Sequence, residues 1–179
     1  GHVLPPACGP YPVDLEARRK FGETEVFFRP LKPSDERRLK DLFYTQSPET
    51  TIRRFGIPLK RLAEKQFQEL VAIDFRSSMA IGGFVREKGR ERLIAVGRYC
   101  GEPGSRIAEV AVTVHDDCQG LGIGSFLVNY LAWIGRERSV EILQAEVMAL
   151  NPRMRRILRR CFGSVLEKDL GPDGTLVSV

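Results

Sequence analysis

Apolar and polar positions follow two periods along the chain, and the switches between them outline its elements. Glu25-Val26-Phe27-Phe28-Arg29 reads as a short strand stopped by Pro30, and Ser34-Asp35-Glu36 supplies a cap and first-turn acids for a helix to about Tyr44. Ser47-Pro48-Glu49 opens a second short helix through Arg53-Arg54-Phe55, closed by Gly56. Leu62, Phe67, Leu70 and Val71 form the apolar stripe of a third helix over 62–73. From Ser78 the period shortens to two. Residues 79–86 and 92–100 read as strands joined by the polar turn Glu87-Lys88-Gly89-Arg90-Glu91. A strand over 107–114 leads through a glycine cluster into a helix to about Arg138, with Ile123, Leu127, Leu131 and Ile134 in register. A strand over 142–147, a helix over 152–161 and two terminal strands complete the order. This alternation predicts an α/β (α+β) fold, a mixed sheet with helices packed against it.

Composition narrows the class. The chain has 179 residues, 42% hydrophobic and 28% charged, with 28 Lys+Arg against 23 Asp+Glu and a formal charge of +5. These values predict one globular domain and disfavour disorder, a disulfide scaffold or a two-domain enzyme. No stretch approaches the roughly 20 apolar residues of a membrane span, and the first residues lack a signal-peptide core, so the expectation is a soluble, cytoplasmic protein with no membrane partner. Cys8, Cys100, Cys118 and Cys161 lie far apart and there are only two histidines, so no metal site is expected. The start, Gly1-His2 followed by Pro5, Pro6, Pro10 and Pro12, marks residues 1–24 as a linker or cloning remnant and lead-in. Residues 25–179 then form a single domain, read as cut from a longer polypeptide.

The chemistry concentrates between Ile107 and Ser125. Strand alternation puts Val110, Val112 and Val114 on one face and Glu109, Ala111 and Thr113 on the other. The strand passes through His115-Asp116-Asp117-Cys118 into Gln119-Gly120-Leu121-Gly122-Ile123-Gly124 and straight into a helix. Alternating glycines allow close backbone approach, and a helix N-terminus presents unpaired N–H groups at the positive end of its dipole. Together they predict an anion cradle suited to a diphosphate. The dinucleotide spacing G-x-G-x-x-G and the Lys-containing phosphate loop are both absent.

This segment resembles motif A of the GCN5-related N-acetyltransferases, Gln/Arg-x-x-Gly-x-Gly/Ala, through Gln119, Gly122 and Gly124. Asn151, after the next strand, matches a second motif of that superfamily. Ser47-Pro48-Glu49-Thr50, Arg54-Phe55, Ile73-Asp74-Phe75, Met79-Ala80 and Ala108-Glu109-Val110-Ala111-Val112 look like bacterial Pat-type protein lysine acetyltransferases, so that the likeness covers about 25–170. The resemblance implies a mostly antiparallel sheet of about six to seven strands with helices on both faces, in which the parallel strands 107–114 and 142–147 splay to admit acyl-CoA. It implies that Val112, Thr113 and Val114 contact the pantetheine, that Gln119, Gly120, Leu121, Gly122, Ile123, Gly124 and Ser125 hold the pyrophosphate, and that Asn151 lies beside the pantetheine arm. Glu109 matches the general base, needed because a lysine with pKa about 10.4 must lose a proton before it attacks a thioester. Where many relatives carry a proton-donating tyrosine, this chain has Leu158, and Tyr130 and Tyr44 are the nearest substitutes.

The implied activity is acetyl transfer from acetyl-CoA, or another acyl-CoA, to a protein lysine in a ternary complex. Two alternatives stand beside it: an acyl-CoA-sensing regulatory domain fused to a CoA-metabolising enzyme, and a small-amine acetyltransferase. Arg153, Arg155, Arg156, Arg159 and Arg160 crowd one helix whose other side carries Met154, Ile157, Leu158 and Cys161. This run accounts for much of the positive charge as a solvated face or a contact for the cofactor's 3′-phosphate, without a nucleic-acid partner.

Overall fold

The computed structural model describes residues 10–45, 64–147, 152–162, 166–169 and 175–178. The helix read over Ser47–Gly56 lies outside the described residues. The strands are β1 (Ala17–Phe21), β2 (Thr24–Pro30), β3 (Ser78–Glu87), β4 (Arg90–Cys100), β5 (Ile107–Val114), β6 (Ile142–Val147), β7 (Leu166–Asp169) and β8 (Thr175–Ser178). The described α-helices are α1 (Glu36–Tyr44), α2 (Glu64–Val71), α3 (Ile123–Glu137) and α4 (Pro152–Cys161). All eight strands form one sheet in the order β1-β2-β3-β4-β5-β6-β8-β7, antiparallel throughout except for β5 beside β6.

The sheet therefore exceeds the expected six to seven strands. The additional strand is β1, which falls inside the lead-in. Ala17-Arg18-Arg19-Lys20-Phe21 shows no apolar alternation because β1 is an edge strand exposed along most of its length, and its basic side chains suit an edge that must not recruit another chain. A two-residue turn joins it to β2, with Gly22 at φ +61°. The β3–β4 hairpin likewise turns on Lys88 and Gly89, at φ +49° and +75°, which a right-twisted hairpin requires at both central positions.

Helices α1 and α2 cover one face of the sheet, and α3 and α4 cover the other. On the second face Ile123, Leu127, Leu131 and Ile134 are all buried, at roughly 1.5–3 kcal/mol each. The close approach of α3 depends on Gly97 in β4, where a Cβ would lie 3.0 Å from Leu131 Cδ1. On the first face Leu39, Leu42 and Phe43 of α1 pack with Phe67 and Val71 of α2.

A buried ion pair fixes β2 to the start of α1. Arg29 Nη1 and Nη2 donate to the two Asp35 carboxylate oxygens at 2.7 and 2.8 Å, and the guanidinium also reaches Glu91 at 3.1 Å and lies over the Phe84 ring. Asp35 further accepts from the Lys32 N–H and from Arg38. Burial alone would raise the Asp35 pKa, but these donors and positive charges outweigh it and hold the carboxyl below its ordinary value. Among the described residues, no helix is long and apolar enough to cross a membrane.

Candidate active site

The site begins where two strands part. Cross-strand partners of β5 and β6 are confined to Ile107 with Ile142, Ala108 with Leu143, and Glu109 with Gln144. Past Glu109, β5 continues to Val114 beside β4, and β6 continues to Val147 beside β8, without further pairing between them. The result is a wedge with Glu109 at its vertex. The splayed pair implied by the resemblance is thus present.

The register also separates the two faces as alternation predicts. Val110, Val112 and Val114 stand opposite Tyr99, Gly97 and Ala95, on the α3 side, where Val114 also approaches the position a Gly124 Cβ would take. Glu109, Ala111 and Thr113 stand opposite Cys100, Arg98 and Val96 on the other face. Val112 and Val114 are half-buried along the open edge of β5, and the Thr113 hydroxyl is buried without a hydrogen-bond partner among the described residues. Glu109 is exposed at the vertex and makes no hydrogen bond or ion pair among the described residues.

The wide end of the wedge is closed by the glycine loop. Gly120 and Gly122 take φ +81° and +94°, left-handed values that L side chains rarely adopt, and Gly122 is the N-cap of α3. Gly124 has a different cause. A Cβ there would meet Ile157 Cδ1 at 3.2 Å, so this glycine lets α4 pack against α3. The first turn of α3 carries no acidic residue and no side-chain cap, which leaves the N–H groups of Ile123, Gly124 and Ser125 directed out of the helix end. Leu121, beside them, is exposed. Gln119 ties the loop down: its Nε2 donates to the Val114 carbonyl and to Asp116 Oδ1, at 3.2 and 3.3 Å, and its Oε1 accepts from Arg153 at the start of α4. Unpaired amides and a helix dipole thus follow closely after Gln119, which holds the guanidinium of a second helix. This donor set fits a diphosphate.

Arg153 was legible only as part of an arginine run; its contact with Gln119, 34 residues away, depends on how α3 and α4 pack. Arg156, Arg159 and Arg160 are exposed, and Leu158 is buried at the core side of α4. Asn151 lies outside the described residues. Neither substitute for the missing tyrosine points to proton donation: Tyr130 Oη donates to the Leu15 carbonyl at 2.7 Å, and Tyr44 is exposed with its ring against Phe67. His115 is buried and structural. Its Nδ1 accepts from the Asp117 N–H, which leaves Nε2 as the protonated nitrogen toward Thr45 Oγ1 at 3.1 Å, tying the end of β5 to the end of α1. Burial pushes the half-buried Cys118 thiol up, away from the thiolate a nucleophile needs. No group of three or more His, Cys, Asp or Glu side chains suited to a metal occurs among the described residues.

Known proteins share both the sequence and this architecture. The profile of the acetyltransferase (GNAT) family matches residues 40–163. The chain is 33% identical over 132 residues to an acetyltransferase of Pseudomonas aeruginosa, covering 73% of this chain and 70% of that one. It is 32% identical over 173 residues to the acetyltransferase Pat of Mycolicibacterium smegmatis, covering 95% of this chain and 49% of that one, so it spans about half the length of this relative. The crystal structure of the GNAT domain of S. lividans PAT superposes with a TM-score of 0.82 at 27% identity, covering 95% of this chain and 99% of that one. With a profile match over more than half its length and the splayed sheet in place, the chain belongs to the acetyltransferase (GNAT) family.

Proposed function

We propose that this domain moves an acetyl group from acetyl-CoA to a protein lysine by direct attack in a ternary complex, with Glu109 as general base. The observation that carries the proposal is the position of Glu109: the last residue of β5 paired to β6, exposed, at the vertex of a wedge whose other end is the glycine loop. A thioester extended from the cradle along Val112, Thr113 and Val114 would bring its carbonyl toward that vertex. The lysine acceptor rests on the likeness to Pat-type enzymes.

In this scheme Gln119–Ser125 and Arg153 bind the pyrophosphate, and the open edge of β5 orients the pantetheine. Glu109 takes a proton from the lysine ammonium, directly or through one water. The neutral amine attacks the thioester carbonyl, a C–N bond forms and the C–S bond breaks. As the thiolate leaves, the attacking nitrogen gives up its second proton to solvent or to that thiolate, which leaves a neutral amide and CoA. With Leu158 in place of a proton donor, the thiolate leaves unassisted, which its Cys-like pKa of about 8.5 permits. The protonated state of Cys118 supports direct attack over an acyl-enzyme.

Thiol release from acetyl-CoA, measured against a panel of proteins, peptides and small amines with mass spectrometry of the products, tests the proposal. Acetylated peptide lysines support it. Acetylation confined to small amines replaces the acceptor. Acetyl-CoA binding without turnover on any acceptor overturns the enzyme in favour of an acyl-CoA sensor.

A further inference from the structure

The recess between the sheet and the α1–α2 layer has one charged wall. Leu39 and Phe43 of α1 and Leu70 of α2 face Ala80 and Ala111 of the sheet, and Arg98 of β4 completes the lining. Arg98 Nη1 is buried and has no hydrogen-bond partner, and Arg98 forms no ion pair, among the described residues. The residue opposite it on β5 is Ala111, which offers nothing polar. Glu109, whose charge acts on Arg98, stands opposite Cys100, two residues along the strand from Ala111 and on the same face. Desolvation dominates the environment of Arg98, lowering its pKa from the usual arginine value, with only a partial electrostatic offset from Cys100 and Glu109.

A guanidinium placed against hydrocarbon with an unused buried donor is costly to keep in the free protein. Elsewhere in this chain a buried arginine is fully matched: Arg29 has both Asp35 oxygens and Glu91. At Arg98 the described residues supply no such complement, which leaves the position open to a ligand. Its location chooses the chemistry, because the recess adjoins the Glu109 vertex and is on the face of β5 opposite the valine row. A single planar guanidinium above an apolar floor matches a carboxylate at the end of a short aliphatic arm; a phosphate would call for several donors, as the glycine loop provides.

We infer that Arg98 anchors a carboxylate-binding subsite beside Glu109, which takes the terminal carboxylate of a short aliphatic arm brought to the vertex. The inference rests on acyl transfer at Glu109 and adds selectivity to it. Two sources offer this group: the free end of a dicarboxylic acyl chain on CoA, and an acidic side chain next to the acceptor amine.

Two kinetic comparisons on the wild-type protein and on Arg98→Met and Arg98→Lys separate the sources. The first sets glutaryl-CoA against its neutral analogue valeryl-CoA with one lysine peptide. The second uses acetyl-CoA with lysine peptides carrying Glu or Gln beside the acceptor. The expected result is a preference for the charged member of one pair, reduced about 10- to 100-fold in the kcat/KM ratio by Arg98→Met and partly kept by Arg98→Lys. Equal use of charged and neutral members in both pairs by the wild type, or an unchanged ratio in Arg98→Met, overturns the inference. A second measurement is independent of turnover: the Arg98 side-chain Nε–H signal in the wild-type protein should shift with glutarate and not with glutaramide. A signal unmoved by glutarate overturns the subsite even where acetyl transfer is intact. Absence of acetyl-CoA binding in calorimetry counts against the acyltransferase reading instead.

Discussion

Glu109 and Gln144 are the last residues that β5 and β6 pair across the parallel seam, and from the next residue onward the strands diverge. The candidate base therefore stands where the sheet is still held together, while the backbone it would serve is already open. Rigid placement at the edge of a gap is what a proton acceptor needs if its position is to be reproducible.

Glu109→Gln keeps the shape of the side chain and removes its basicity. The expected outcome is a fall in kcat of about 10²- to 10⁴-fold, with the acetyl-CoA dissociation constant by calorimetry held within about twofold. Wild-type turnover in this variant would remove Glu109 from the chemistry.

The three glycines of the loop are predicted to respond differently. Gly122→Ala forces a Cβ onto a residue at φ +94°, costing about 1–2 kcal/mol and lowering the melting temperature by roughly 2–8 °C. Gly120→Ala, at φ +81°, carries the same backbone penalty, and neither added Cβ meets a close neighbour. Gly124→Ala has no left-handed strain; its methyl crowds the flexible end of Ile157 and makes ordinary contact with Val114, so its melting temperature should stay nearer to wild type. Equal losses at 122 and 124 would contradict the separate causes assigned to them.

Arg153→Ala removes the cation that α4 brings to Gln119. Because the contact is to the binding loop and remote from the vertex, the KM for acetyl-CoA should rise about 3- to 10-fold at unchanged kcat. The effect should shrink as ionic strength increases, since Arg153 is exposed.

Asp35→Asn leaves Arg29 buried with half its pairing lost. A loss of about 3–5 kcal/mol is expected in urea unfolding, without a specific change in acetyl-CoA affinity for the molecules that remain folded.

Acid sensitivity follows from the same group and from Asp74. Burial would raise the Asp74 pKa, but hydrogen bonds from Ser77 Oγ, the N–H groups of Arg76 and Ser78, and Ser78 Oγ outweigh it and hold the carboxyl at about 2. Both carboxyls titrate lower in the folded chain than in the unfolded one, so the unfolded chain binds more protons in acid. Their stabilisation is complete above the ordinary carboxylate range near pH 4 and is lost as the pH falls through the folded values, for Asp74 down to about 2. Urea midpoints should therefore drop between about pH 4 and 2, less steeply in Asp74→Asn.

Much of this protein is determined by local pattern. The bounds of β5 and β6 and the helix beginning at Pro152 match their sequence signatures because each contrasts sharply with its neighbours: β-branched alternation, a glycine cluster, a proline. The face carrying Glu109 follows from the two-residue period of a strand alone. The glycine turn, the candidate anion cradle, is equally local, since the residues that take a left-handed backbone are contiguous with the helix they cap.

Other features depend on contacts between distant parts of the chain. β1 has no periodicity to announce it, because an exposed edge strand buries neither face and only the hairpin at Gly22 places it in the sheet. β6 leaves β5 after Gln144 and runs on beside β8, a pairing between segments about 30 residues apart in sequence. That the missing Cβ of Gly124 is where α4 packs becomes visible only in the tertiary structure, and Arg153 reaches Gln119 only because of that packing. Arg98 carries no motif at all; its unmatched guanidinium emerges when β4, β5 and the α1–α2 layer close around it. Local sequence thus determined the elements and the glycine turn that caps α3, since backbone preference and side-chain period act within a few residues. The tertiary structure decided the wedge, the second cation and the buried charge, since desolvation and pairing exist only once separate segments meet.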